Sequence, residues 1–165
     1  MSEISSDYNS MHVDGIADVG IIVTAHFVNP IQEKMIQFIE DIIYEKKNVI
    51  LPLSAFIGAY HILTRYLRVS RYQAKKALQT TLELETPIFY PRIDTGIVKN
   101  ALDISSVYNI ESWDGYILEL ANLFKTSYIY TIDKKLQKIQ DFEILCPVSE
   151  EDLKEYHTWL TEKMK

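Results

Sequence analysis

Two carboxylates draw attention first. Asp114 lies in Ser112-Trp113-Asp114-Gly115-Tyr116, where a helical pattern begins, and Asp133 ends the apolar stretch Tyr128-Ile129-Tyr130-Thr131-Ile132-Asp133. In an α/β protein, helix N-termini and the C-terminal ends of strands share one edge of the sheet. The two acids should therefore converge although they are distant in the chain. Asp18, at the end of a first apolar segment, should reach the same edge. Converging carboxylates repel unless protons or a cation separate them, and Mg²⁺ or Mn²⁺ suits an all-oxygen ligand set. Metal held by carboxylates in a crevice is a recurring means of hydrolysing phosphodiesters. Ser112 and Thr131 add hydroxyls that could orient a carboxylate or a water.

The elements that must position these acids follow from hydrophobic periodicity. Ile16 to Val19 reads as a short first strand and Gly20 to Phe27 as a short helix. Pro30 opens a second helix with Met35, Phe38, Ile39, Ile42 and Ile43 at helical spacing. Asn48 to Leu51 is a second strand, and Ser54 to Leu67 a helix that is apolar first and basic last. Ser70 caps a helix carrying Ala74, Ala77, Leu78 and Leu82. Pro87 to Tyr90 is a third strand. Asp94 caps a helix with Ile97, Val98, Ala101 and Ile104 inward. Ser112 to Phe124 is a helix, Tyr128 to Ile132 a fourth strand and Phe142 to Leu145 a fifth. A last helix runs from Ser149, with acids in its first turn where the dipole favours them. Strands alternating with helices predict a mostly parallel sheet covered on both faces. Tyr128 and Tyr130 share a strand face and are expected beneath a helix.

Length predicts a polar leader over residues 1–12 and a single domain over 13–165. The one cysteine, Cys146, permits neither an intramolecular disulfide nor a zinc cluster. It is expected to be a small buried side chain, in keeping with a cytoplasmic protein. The uncharged run from Val49 to Leu63 holds Pro52 and His61 and falls short of the roughly 20 residues that span a bilayer, so no membrane association is expected. The net charge of −6 disfavours general adhesion to nucleic acid. Arg65, Arg68 and Arg71, beside Tyr66 and Tyr72, form a local basic cluster. It reads either as phosphate contacts with base stacking or as a solvated helix end. No phosphate-binding glycine loop or nucleophile elbow is present, which leaves nucleotide-motor, dinucleotide and α/β-hydrolase functions without support.

Three segments together resemble the PIN-domain family, which includes the VapC-type toxins. Asp18-Val19-Gly20-Ile21-Ile22 is similar to the family's first-strand segment, although Gly20 stands where Asn is frequent. Trp113-Asp114-Gly115-Tyr116-Ile117 is similar to its later helix start, and Thr131-Ile132-Asp133 to its strand-end motif. The resemblance spans about Ile16 to Val148. It implies a three-layer α/β/α sandwich around a central, mostly parallel sheet of about five strands. It also implies one or two Mg²⁺ or Mn²⁺ ions held by Asp18, Asp114 and Asp133, and hydrolysis of single-stranded RNA without a covalent intermediate. Many members form homodimers, and many toxin members are silenced by a small antitoxin protein.

One departure bears on catalysis. The family usually carries Glu on the helix after the second strand, where this chain has Gly58, and no Asp or Glu occurs from Val49 to Thr81. Ser54 and His61 lie one helical turn either side of Gly58 and could face the same crevice, His61 being expected partly buried. Three readings follow: a metal-dependent ribonuclease, with the toxins of the family as its model; a PIN fold that has lost catalysis and binds RNA or protein; and a phosphoryl-accepting receiver. The receiver needs a paired acid at the first strand and a Lys after a late strand, which Asp14, Asp18 and Lys134 match poorly.

Overall fold

In the computed structural model, Tyr8 and residues 10–165 are described. Five strands form one sheet: β1 (Gly15–Ala17), β2 (Val49–Pro52), β3 (Phe89–Tyr90), β4 (Tyr128–Tyr130) and β5 (Glu143–Leu145). Their order is β3-β2-β1-β4-β5 and every pairing is parallel. Ile16 lies opposite Ile50 on one side and Ile129 on the other. The helices are α1 (Val19–Ala25), α2 (Gln32–Ile43), α3 (Leu53–Arg65), α4 (Arg71–Leu82), α5 (Thr95–Tyr108), α6 (Ser112–Leu123) and α7 (Glu150–Lys163), with a 3₁₀ turn at Lys134–Lys138.

Side-chain alternation along the central strands builds two cores. Ala17, Val49, Leu51 and Phe89 face the cluster made with α1 to α4 and α7. Ile16, Ile50, Tyr90 and Ile129 face the one made with α5 and α6. Strands covered on both faces read as continuous apolar runs, and Val49-Ile50-Leu51 is fully buried. Each such aliphatic side chain contributes about 1.5–3 kcal/mol by leaving water. The result is the three-layer sandwich expected, with its sheet wholly parallel.

Caps end the helices largely where expected. Ser70 Oγ accepts the Gln73 N–H, and Asp94 Oδ1 accepts the Ile97 N–H. Ser149 and Asp152 form a reciprocal capping box on α7. Asn109 closes α5 in the left-handed conformation, at φ 54°.

Several local expectations are corrected. Asp18 is not a strand residue but the N-cap of α1. Ile132 lies past the end of β4. Cys146 is exposed, because it follows the edge strand β5, which has a neighbour on one side only. Val98 is 41% exposed on the outer side of α5, while Ile97 and Ala101 are buried. Tyr130 packs on Phe38 of α2, with ring centroids 5.0 Å apart, whereas Tyr128 begins β4 and remains 38% exposed. Residues 1–7 and 9 of the expected leader lie outside the described residues. Tyr8, within that stretch, sets its ring edge-on to Tyr90 at 5.3 Å and to Phe124 at 6.0 Å. Among the described residues no helix is long and apolar enough to cross a membrane.

Candidate active site

The chain proceeds from β1 outward to β2 and β3, then returns to place β4 on the other side of β1. The C-terminal ends of β1 and β4 therefore flank a topological switch point, where open parallel sheets form a crevice. Asp18 follows β1 directly, and Asp133 follows β4 after a short bend. Asp114 sits in the first turn of α6, whose N-terminus reaches the same edge. All three line one cavity of about 360 Å³, together with Ser54, Gly58 and His61 of α3.

Asp18 is 8% exposed and its carboxylate is well held. Oδ1 accepts the Val19 N–H at 2.7 Å and Oδ2 accepts the Thr131 hydroxyl at 2.9 Å. The Asp18 N–H donates to the Tyr130 carbonyl at 2.9 Å, which ties the acid to β4. Thr131 then relays order onward, because its Oγ1 accepts the Asp133 N–H at 3.0 Å. Asp133 Oδ1 accepts the Lys135 N–H at 2.9 Å and starts the 3₁₀ turn. One buried hydroxyl thus links two of the three acids. Thr131→Val keeps the shape, removes both contacts and strands Asp18 Oδ2 in a buried position. It is expected to cost about 1–3 kcal/mol, measurable by urea unfolding.

The electrostatics carry the mark of convergence. Burial raises the Asp18 carboxyl above its ordinary range, with Asp133 adding to the rise and the hydrogen bonds from Thr131 and Val19 opposing it. Asp114 is pushed up to about 6, first by burial, then by the charges of Asp18, Asp133 and Glu111, with Lys135 pulling the other way. Perturbation by burial plus like charges in a cleft is a feature of functional sites.

The donor chemistry suits a hard divalent cation, since carboxylates and a hydroxyl supply only oxygen. The Ser54 hydroxyl is buried at this cavity and makes no hydrogen bond of good geometry among the described residues, although it lies near enough to the Tyr116 phenol to oppose the rise that burial imposes on that group's pKa. The spacing is looser than the chemistry. Among the described residues, no three acidic, His or Cys side chains stand close enough together to hold an ion as they are. A shared ion requires carboxylates drawn closer than they stand.

The remaining residues singled out in the sequence are distributed as follows. Ser112 is exposed at the first position of α6 and does not line the cavity. Arg65, Arg68 and Arg71 are exposed and none lines it; Arg68 borders a separate cavity of about 410 Å³. His61 is exposed rather than partly buried, because α3 turns it to the cavity rim. A Cβ on Gly58 would meet only Val19 Cγ2, at an ordinary 3.4 Å. Close packing is therefore not what requires glycine there. Glu111, Trp113, Tyr66 and Tyr116 also line the cavity. Glu111 escaped the sequence reading because it precedes its helix and its side chain makes no cap bond that would mark its role.

No protein-family model matches the chain. No curated protein matches it. Among solved structures, a toxin-antitoxin complex from Klebsiella pneumoniae is similar, with a TM-score of 0.54 over 82% of this chain and 98% of that chain, at 15% identity. Likeness at that identity speaks to the fold, and the fold it supports is the parallel α/β sandwich described above.

Proposed function

We propose that this protein is a metal-dependent endoribonuclease of PIN type, acting on single-stranded RNA as the toxin of a toxin-antitoxin pair. The observation that carries the reading is the meeting of Asp18, Asp114 and Asp133, from three separate elements, around one cavity at the switch point of a parallel sheet. The toxin role draws on the fold shared with the Klebsiella complex, and a small antitoxin is the corresponding partner. Cytoplasmic residence and a homodimer belong to the same proposal.

Asp18, Asp114 and Asp133 would hold the ion, with Ser54 Oγ available to a bound water. The chemistry such an ion would supply there is a lowered pKa for a bound water and an offset to charge on the phosphate. The chain's own part is positional. Thr131 fixes Asp18, the β4 turn fixes Asp133, and the α6 N-terminus places Asp114 where backbone N–H groups favour a negative charge. The raised Asp114 pKa is compatible with the reading: burial is its largest cause, and the neighbouring charges of Asp18, Asp133 and Glu111, which a cation would offset, add to it. The test is Mn²⁺-dependent cleavage of a single-stranded RNA, blocked by chelator.

Gly58 favours a second reading, a binding module that has lost catalysis. The cavity offers room for a side chain at this position, and Gly58→Glu would supply a fourth carboxylate. We expect this variant to bind Mn²⁺ about tenfold or more tightly by calorimetry, the gain from one more charged ligand corresponding to roughly 1.4 kcal/mol. Cleavage that appears only in the variant assigns the wild type to the binding class. Strong wild-type cleavage removes that class.

A further inference from the structure

Two aromatic rings at the cavity mouth have no part in the arrangement of the acids. Trp113, one residue before Asp114, is 53% exposed, and Tyr66, the C-cap of α3, is 57% exposed. Both line the cavity that holds the aspartates. Neither ring hangs free. Trp113 meets Tyr116 at 6.2 Å with the ring planes 80° apart, and Tyr66 meets His61 at 5.6 Å and 79°. Edge contacts of this kind fix a ring's orientation. Here they do so while leaving more than half of each residue in solvent. Exposing two large rings beside a crevice is unfavourable in water, and a ligand that covers them recovers that free energy at a reduced ordering cost.

We infer that Trp113 and Tyr66 form a stacking clamp for an unpaired nucleobase next to the phosphate presented to the three aspartates. The inference rests on the ribonuclease reading and assigns the residues that select single strands. An unpaired base offers a flat face to an aromatic ring, and a paired base in a duplex does not. At about 360 Å³ the cavity is at the small end of the range for ligand pockets, suited to a planar group rather than a folded segment. Arg65, exposed at the end of α3, directly precedes Tyr66 in the chain. The aspartate cavity alone would repel the phosphates of the strand, so binding needs the favourable term that stacking supplies.

Fluorescence tests this directly. The chain has two tryptophans, and Trp159→Phe leaves Trp113 as the reporter. In a Trp159→Phe, Asp114→Asn protein, which binds without cutting, a single-stranded oligoribonucleotide should quench Trp113. A matched duplex, or the same strand with abasic sites, should not. By anisotropy with labelled RNA, Trp113→Ala and Tyr66→Ala should each weaken binding about 5- to 100-fold, and Trp113→Phe should retain most of it. RNA that binds without quenching, or equally well to Trp113→Ala, overturns the clamp and leaves the ribonuclease reading standing. Binding of no RNA at all overturns both. Stronger quenching by a basic peptide than by RNA assigns the rim to a protein partner and overturns the clamp.

Discussion

Asp114→Asn is expected to abolish RNA cleavage while making the metal-free protein more stable at neutral pH. The two effects have one cause. Asp114 is held near Asp18, Asp133 and Glu111 in a partly desolvated crevice, and its pKa is raised to about 6. The folded protein therefore keeps a proton on this carboxyl at pH values where the unfolded chain, near 3.8, has lost it. Stability is greatest below the unfolded pKa and falls as pH rises through about 6. A shift of about two pKa units corresponds to at most about 3 kcal/mol, and solvent screening at a half-buried group reduces this to roughly 1–2 kcal/mol. In EDTA at pH 8, the variant should melt roughly 3–6 °C above wild type, and the gap should close near pH 4. Activity should fall by about 10²–10³-fold or more, as for loss of a group that stabilises transition-state charge. A wild-type protein that is the more stable of the two at pH 8 would show that the crevice does not concentrate negative charge.

Gly115→Ala is expected to be the most damaging small substitution near the site. A Cβ on Gly115 would collide with Ser105 Oγ and the Ala101 carbonyl oxygen, where α5 and α6 press together. The Ala101 carbonyl is backbone and cannot yield cheaply, and Ser105 Oγ could rotate away only by giving up its hydrogen bond to that carbonyl at 2.8 Å. Replacing a helical glycine by alanine ordinarily gains up to about 1 kcal/mol. Here overpacking of about 3 kcal/mol outweighs that gain. The net loss of about 2 kcal/mol should lower the melting temperature by roughly 4–8 °C. Activity should fall further than stability predicts, because separating α6 from α5 displaces Asp114. Adding Ser105→Ala removes one of the two collisions and should restore part of the loss.

Glu119 lies one helical turn beyond Gly115 and meets the same neighbour, α5. It is buried within α6, and Asn100 of α5 donates to its Oε1 at 2.8 Å. Burial raises its pKa, and the amide contacts of Asn100 and Asn122 hold it down. No local pattern announces this pair. Glu119 interrupts an apolar helix and Asn100 lies on an otherwise ordinary amphipathic one, so only the packing of α5 on α6 joins them.

What the amino-acid order alone determined is local. Alternation, helical spacing and cap residues locate the five strands and seven α-helices to within a few residues, though not the 3₁₀ turn at Lys134–Lys138, because those signals arise from contacts within a turn or a strand pair. Short apolar runs between helices require a buried parallel sheet, and a parallel sheet brings Asp18, Asp114 and Asp133 to one edge whatever the details. Tertiary structure decided the rest. It chose the order that puts β4 beside β1, and so made that edge a crevice. It bonded Asp18 to Thr131, left Cys146 and His61 exposed, brought Glu111 to the site and set Trp113 and Tyr66 in its lining. Distances between side chains on different elements depend on how whole layers pack, and no periodicity within one segment encodes them.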